Sequence, residues 1–119
     1  MDNKEFAKNL EKRTLLFAVI IIKLCGKLPN TTEGKVIRNQ LAKAGSSVGA
    51  NYREANRSRS KADFKNKIKI CESESSETNY WLQIITSLEW LNQKDIDWEY
   101  KESEELLAIF TSISKNLNR

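Results

Sequence analysis

The side chains best suited to chemistry in this chain are a cluster of arginines and lysines. They are Arg53, Arg57, Arg59, Lys61, Lys65 and Lys69. The lysines recur every four residues, which stacks like charges along one helix face. The arginines precede a helix N-terminus, where the macrodipole already disfavours cations. A phosphate polyanion would reverse the sign of both effects, because helix N-terminal amides and arginine forks bind phosphate.

These six residues are therefore the predicted nucleic-acid-binding residues. Such a surface contacts the backbone more than the bases and weakens steeply with salt. The sequence does not distinguish RNA from DNA, because it carries no recognition-helix motif, zinc finger or aromatic sheet signature. The alternative is a solvated basic face that pairs with acidic groups of the C-terminal half or of another protein. On that hypothesis the protein is an assembly scaffold with no nucleic-acid role.

Other kinds of site find little support in the sequence. The chain has no histidine, so it cannot form a ferritin-like di-iron centre, and its two cysteines alone argue against zinc. It also lacks a glycine-rich phosphate loop and a nucleophile elbow. We predict no catalytic residue, no metal, no cofactor and no small-molecule substrate, and therefore no enzyme.

Glu74 and Glu77 form the one suggestive carboxylate pair, on a helix stripe that is otherwise apolar. Paired acids or ligands of a hard metal are one interpretation. The favoured one is that both acids meet arginines or hydroxyls of a neighbouring helix, such as Arg53 or Tyr52, since buried acids are normally paired.

Four helices are predicted to position these groups. The first covers about residues 4–27 and ends at Pro29, the second follows a cap at Asn30, Thr31 or Thr32, and the third starts at Ser60. The fourth follows a turn near residues 92–97. The predicted core positions recur at helical spacing. They are Phe6, Leu10, Phe17, Ile20, Leu24 and Leu28; Ile37, Leu41, Ala44, Val48, Asn51 and Ala55; Phe64, Ile68, Cys71, Ser75, Thr78, Leu82 and Ile85; and Leu106, Phe110, Ile113 and Leu117.

Short connections between four helices predict an all-α fold, an antiparallel up-down-up-down four-helix bundle. With no linker or repeat, residues 1–119 are predicted to form one domain. The small residues Ala42, Gly45, Ser46 and Gly49 follow one helix stripe. Because glycine inside a helix costs about 1 kcal/mol against alanine, we expect a neighbouring backbone to approach closely there. A ligand crevice is the less favoured interpretation.

The first helix is apolar on more than one side. Leu15, Val19 and Ile22 lie roughly opposite the predicted core positions. A helix that is apolar nearly all round must be covered on several sides. We therefore expect self-association, with Trp90, Trp98 and Tyr100 as further contact area. Complete enclosure within one bundle is the alternative.

Composition and charge indicate the environment of the molecule. The net charge of +4 conceals ten basic and two acidic residues over 35–69, against four basic and ten acidic residues over 70–119. Cys25 and Cys71 lie in apolar-periodic segments, which suits buried, reduced thiols. The longest apolar run, residues 15–22, is too short to span a bilayer. We expect a cytoplasmic protein that does not bind membranes.

Over nearly its full length, the chain resembles the bacterial 23S rRNA intervening sequence proteins. The matching motifs are a QL…G(T/S)S(V/I)GAN…EA pattern, an arginine-rich turn, an S-K-x-DF start and an E-x-x-E-(T/S)-x-(Y/F)-WL run. In this chain they fall at Leu28–Pro29, Gln40–Leu41, Gly45–Asn51, Glu54–Ala55, Ser60–Lys61, Asp63–Phe64, Glu74, Glu77, Thr78, Tyr80, Trp81 and Leu82.

This resemblance implies a small helical bundle, commonly assembled as a homopentamer, with no established enzymatic activity. The family name records a gene location inside some bacterial 23S rRNA genes rather than a mechanism. A related branch serves as accessory proteins of diversity-generating retroelements, and a basic surface in that branch is associated with nucleic-acid binding. The resemblance therefore implies that the basic residues of this chain bind nucleic acid.

Overall fold

A computed structural model describes residues 2–117 as four helices with no strand among them. They are α1 (Asn3–Cys25), α2 (Thr32–Asn56), α3 (Lys61–Ser87) and α4 (Gln93–Leu117). Each helix packs against its neighbours in sequence, whereas α1 and α4 meet at few positions. The predicted four-helix bundle is confirmed, in a body measuring 44 × 25 × 22 Å.

Contacts between neighbouring helices run in opposite directions along the chain. Thr14 and Ile21 of α1 lie against Gly49 and Gly45 of α2, in that order. On α3 and α4, Asn79 donates to Ser103 and Glu72 accepts from Thr111. This order is consistent with the predicted up-down-up-down arrangement.

Side-chain caps fix where the helices begin. Thr31 accepts a hydrogen bond from the Gly34 amide at 3.0 Å, and Ser60 accepts one from the Asp63 amide at 3.0 Å. Each satisfies an amide that has no partner within its helix. Thr31 is thus the cap among the three candidates, and the predicted start at Ser60 is confirmed.

The core contains most of the predicted positions. On α3, six of the seven are buried, and Phe64 is half-buried at the margin. On α1, the assignment of Phe6 and Ile20 to the core is wrong: Phe6 is 42% exposed, and Ile21 takes the fully buried position beside a half-buried Ile20. The predicted core positions Ile37, Asn51, Ile113 and Leu117 are also only half-buried.

The glycines of α2 allow α1 to approach closely, as predicted. A Cβ on Gly45 would lie 2.6 Å from Cγ2 of Ile21, and one on Gly49 would lie 2.9 Å from the Thr14 hydroxyl oxygen. Real Cβ contacts are not that short, so any side chain here would push α1 away. The small-residue stripe is therefore explained by packing.

A partly buried ion pair supplies the main polar link between α1 and α4. The Arg13 guanidinium donates from Nε and Nη2 to the two oxygens of Glu102, each at 2.7 Å. Glu105 lies 3.1 Å from the same guanidinium. These hydrogen bonds raise the pKa of Arg13 above its ordinary value. The bidentate contact links two helices that otherwise touch at few positions.

Candidate nucleic-acid interface

The predicted basic residues surround the turn between α2 and α3, at one end of the bundle. Arg57 follows the last residue of α2, Arg59 lies within the turn, and Lys61 is the first residue of α3. Backbone hydrogen bonds from Arg57 to Glu54 and from Ser58 to Ala55 end α2 tightly. Since the turn is only four residues long, these three cations are held near the amino end of α3.

All but one of the six predicted residues are exposed. Arg53, Arg57, Arg59, Lys61 and Lys69 are exposed, and Lys65 is half-buried. Within residues 2–117, Arg53 is the one member with an ion pair, to Glu11 at 3.8 Å. The two side chains are 52% and 33% exposed, so solvent screens this contact.

The six residues do not share a single face. Arg53 lies beside α1, in a groove with Leu15 and Ala18. Lys69 lies on the other side of the bundle end, in a groove that is also lined by three glutamates of α3 (Glu72, Glu74 and Glu77), by Tyr80 and by Leu107 of α4. Lys61, Lys65 and Lys69 follow one side of α3 over about 12 Å. We call the six residues together the basic surface; it wraps around the end of the bundle, with Arg57, Arg59 and Lys61 at its centre.

The structure also shows a cation of the same region in a different role. Lys67 donates to Glu54 at 2.9 Å and so joins α3 to the end of α2. Lys67 lies outside the four-residue spacing of Lys61, Lys65 and Lys69, but the spacing did not predict its partner, because that partner lies on another helix. Lys67 is a structural contact and not part of the basic surface.

Comparison with known proteins gives the family. The model of the 23S rRNA-intervening sequence protein family matches residues 8–112. The chain belongs to this family. Its four helices and the matched range agree with the motifs at Gly45–Asn51 and Glu74–Leu82.

A solved structure similar to this chain is a protein of unknown function from the S23 ribosomal protein family of Bacteroides thetaiotaomicron. It shares 35% sequence identity, with a TM-score of 0.82 over 88% of this chain and 97% of that one. Comparison with curated proteins gave no match. Family and fold are thus established, whereas neither comparison carries an activity.

The acid pair on α3 has other neighbours than predicted. Pairing with Arg53 or Tyr52 is wrong, because Arg53 contacts Glu11 and the charges acting on Glu74 are Glu77 and Lys43. One Glu74 oxygen is buried and accepts no hydrogen bond from residues 2–117. Burial, and then the charge of Glu77, raise the pKa of Glu74.

Metal binding finds no support at this pair. Among the described residues, no group of three or more cysteine and carboxylate side chains is placed to hold a metal ion.

Within residues 2–117, none of the helices has the length and apolar character needed to cross a membrane.

The outer face of α1 is apolar and uncovered in the single chain. The exposed fractions of Leu15, Val19 and Ile22 are 51%, 42% and 50%. Leu16, which the sequence pattern did not single out, is equally exposed. We call these four residues the α1 apolar face. Of the three aromatic residues expected beside a contact, Trp98 is exposed and Trp90 and Tyr100 are half-buried.

Both cysteines are free and buried, as predicted. Cys71 donates to the Val48 carbonyl oxygen at 3.4 Å, between α2 and α3. Burial raises its pKa to about 12 and also raises the pKa of Cys25. Both are therefore neutral core thiols at neutral pH.

Proposed function

We propose that this protein is a non-enzymatic, cytoplasmic helical bundle that self-associates and binds the phosphate backbone of RNA or DNA through the basic surface. Arg53, Arg57, Arg59, Lys61, Lys65 and Lys69 contact phosphates. No cofactor, metal or small-molecule substrate takes part.

One observation carries the nucleic-acid part of this proposal. Arg57, Arg59 and Lys61 are exposed cations gathered at the amino end of α3, and none of them has an ion-pair partner within residues 2–117. The dipole of α3 and the neighbouring lysines both oppose this arrangement. When a polyanion is bound, the α3 dipole and the clustered cations both attract it, and the polyanion releases its condensed counterions.

Binding of labelled RNA and duplex DNA over a series of salt concentrations tests the proposal. We expect micromolar or tighter binding at low salt that weakens steeply as salt rises. Arg57→Glu/Lys61→Glu should abolish it. The matched control is Lys27→Glu/Lys35→Glu, which makes the same charge change at exposed positions beside the opposite turn. That control should retain most of the affinity.

Absence of binding at low salt would refute the nucleic-acid proposal. Equal loss in both double variants would show that net charge, rather than the basic surface, determines the affinity. The proposal requires that the affinity for nucleic acid falls when the end with the basic surface is altered and not when the opposite end is altered.

The α1 apolar face supports self-association. Four large apolar side chains on one helix are each about half exposed, and leaving this patch in contact with water is unfavourable in free energy. A second copy of the same chain would bury it, and the family resemblance implies five copies in the assembly.

Light scattering tests this part separately. We expect a mass several times the 13.7 kDa of one chain, and five times that value for a pentamer. Val19→Lys should lower the mass to that of a single chain. The control is Val36→Lys, which charges a valine on α2 that is 54% exposed, against 42% for Val19. A monomeric wild-type protein would refute self-association.

The charge imbalance of the chain supports a second candidate, a protein-binding scaffold. Residues 70–119 carry ten acidic and four basic side chains, which complement the basic surface of another copy or of a partner. On this hypothesis Arg57→Glu/Lys61→Glu changes the assembly mass, and no nucleic acid binds at low salt.

A further inference from the structure

A cavity of about 470 Å³ opens at the same end of the bundle as the basic surface. It brings together the first turns of α1, the end of α2, the start of α3 and the end of α4. Its polar and aromatic lining consists of three asparagines and three aromatic residues: Asn3, Asn56, Asn116, Phe6, Tyr52 and Phe64. Its volume falls in the range of small-molecule sites, roughly 300–1,000 Å³.

The aromatic groups differ in how firmly they are held. Tyr52 is 2% exposed and packs edge-on against Phe110, with ring centroids 5.5 Å apart. Phe64 is half-buried, and Phe6 is 42% exposed at the rim. A fixed inner ring and an accessible outer ring suit a flat ligand that enters from solvent and stacks.

The cavity adjoins the centre of the basic surface through the chain itself. Asn56 directly precedes Arg57, and Phe64 lies one helical turn after Lys61 and directly before Lys65. A ligand that carries phosphate next to a flat ring would therefore meet cations and aromatic side chains at one place.

The chemistry of the lining selects among flat ligands. Amide groups both donate and accept hydrogen bonds, as the edges of nucleobases do. The Asn56 amide already donates to Glu11 at 2.9 Å, so a purely apolar ligand would leave the amides of Asn3 and Asn116 without partners on burial. Single-stranded nucleic acids are bound in this manner elsewhere, with phosphates in a basic groove and bases on aromatic side chains.

We propose that this cavity receives an unpaired base of a single-stranded nucleic acid whose phosphates lie on the basic surface. The inference rests on the proposed function and deepens it. It implies a preference for single strands over duplexes, because a paired base inside a duplex is not free to enter.

The test compares two single-stranded oligonucleotides of equal length and charge, one with bases and one with an abasic backbone, by fluorescence anisotropy at one salt concentration. The wild-type protein should bind the base-containing strand about tenfold more tightly, as expected for stacking of one base. Phe6→Ala should remove this preference and leave the affinity for the abasic strand unchanged.

Two further variants distinguish stacking in the cavity from a general loss of aromatic surface or of folding. Trp98→Ala removes an aromatic side chain that is 45% exposed at the start of α4, away from the cavity, and should keep the preference. Phe64→Leu keeps an apolar side chain at the cavity while removing the ring. It should lose the preference and retain the helical circular dichroism, with at most a small fall in melting temperature because Phe64 packs at the margin of the core.

The outcomes separate this inference from the function on which it rests. Equal binding of both strands by the wild-type protein overturns the base site and leaves backbone binding intact. A preference that survives Phe6→Ala and Phe64→Leu overturns it too, since the base is then bound elsewhere. If Phe6→Ala changes only the assembly mass, a second copy occupies the cavity and the inference is wrong. Binding of neither strand overturns the inference, and it refutes the proposed function as well if duplex DNA also fails to bind at low salt.

Discussion

Both halves of the segment from Ala42 to Lys61 contain residues that are unfavourable for the helix they belong to. The two halves differ in whether these residues have a partner within the chain. In the small-residue half, residues 42–50, glycines weaken the helix, and each has a visible partner in Ile21 or Thr14. In the basic half, residues 53–61, cations crowd a helix N-terminus, and Arg57, Arg59 and Lys61 have no ion-pair partner within residues 2–117.

This difference separates architecture from binding. A residue that is unfavourable for its helix but fitted to a neighbour is explained by the fold. One that is unfavourable and exposed is better explained by a partner outside the chain. Substitution and labelling test both halves.

The thiol of Cys71 reports whether the small-residue half is as closed as its packing indicates. Since the thiolate is the reactive form, burial that raises its pKa from 9.0 to about 12 should slow alkylation about a thousandfold at mildly alkaline pH. Iodoacetamide labelling of a Cys25→Ser variant, followed by mass spectrometry, measures this rate. The same protein unfolded in urea is the reference. Equal rates in the two states would show that α2 and α3 are not closed around this residue.

Gly45→Ala tests the close approach of α1 directly. The added methyl group would meet Ile21, and overpacking typically costs about 1–3 kcal/mol, against a gain of about 0.5–1 kcal/mol from helix propensity. We expect the free energy of unfolding in urea to fall by about 1–2 kcal/mol. Gly26→Ala is the matched control, because a Cβ there meets one backbone oxygen at 3.3 Å.

A double-mutant cycle with Ile21→Ala identifies the cause. If the two side chains compete for the same space, Gly45→Ala should cost less in the Ile21→Ala background, by at least about 0.5 kcal/mol. Additive losses would mean that the glycine is needed for a different reason.

Lys61→Glu tests the basic half through stability rather than binding. Glutamate in the first turn of α3 interacts favourably with the helix dipole and pairs with Lys65 four residues later. Without nucleic acid, the free energy of unfolding should rise by about 0.5–1 kcal/mol while binding weakens. Lys27→Glu, just beyond the end of α1, should lower stability instead. A destabilised Lys61→Glu protein would show that Lys61 has a partner within the assembly.

Glu74 gives the smallest effect and a defined sign. Burial and Glu77 raise its pKa, so the folded chain holds this proton more tightly than the unfolded chain. Stability should therefore fall as pH rises from the ordinary value of 4.5 through the folded pKa. Glu74→Gln should remove this part of the pH dependence in urea unfolding measured from the ordinary pKa up to neutrality. An unchanged dependence would mean that Glu74 is solvated in both states.

Helix-level features were largely predictable from the sequence. The Ser60 cap, the end of α1 before Pro29 and the α3 stripe from Ile68 to Ile85 depend on residues within a few turns of one another. Local spacing decides them. The close approach at Gly45 was predictable as well, since glycine inside a helix needs a reason.

Features that depend on distant parts of the chain were not predictable. Arg13 and Glu102 are 89 residues apart, and their spacing carries no signal. The choice of Ile21 over Ile20 for the core depends on the rotation of α1 against α2. The cavity beside Tyr52 joins all four helices. To predict any of these features, one must know the angles at which the helices pack as well as where each helix begins and ends.

The limited contact between α1 and α4 has a consequence for how the chain folds. Because each helix packs mainly on the next one in sequence, the contact order is low, which favours folding in microseconds to milliseconds. The Arg13–Glu102 pair joins residues far apart in sequence and carries a large loop-closure entropy. We expect it to form after the transition state, so that Arg13→Ala accelerates unfolding and leaves the folding rate nearly unchanged.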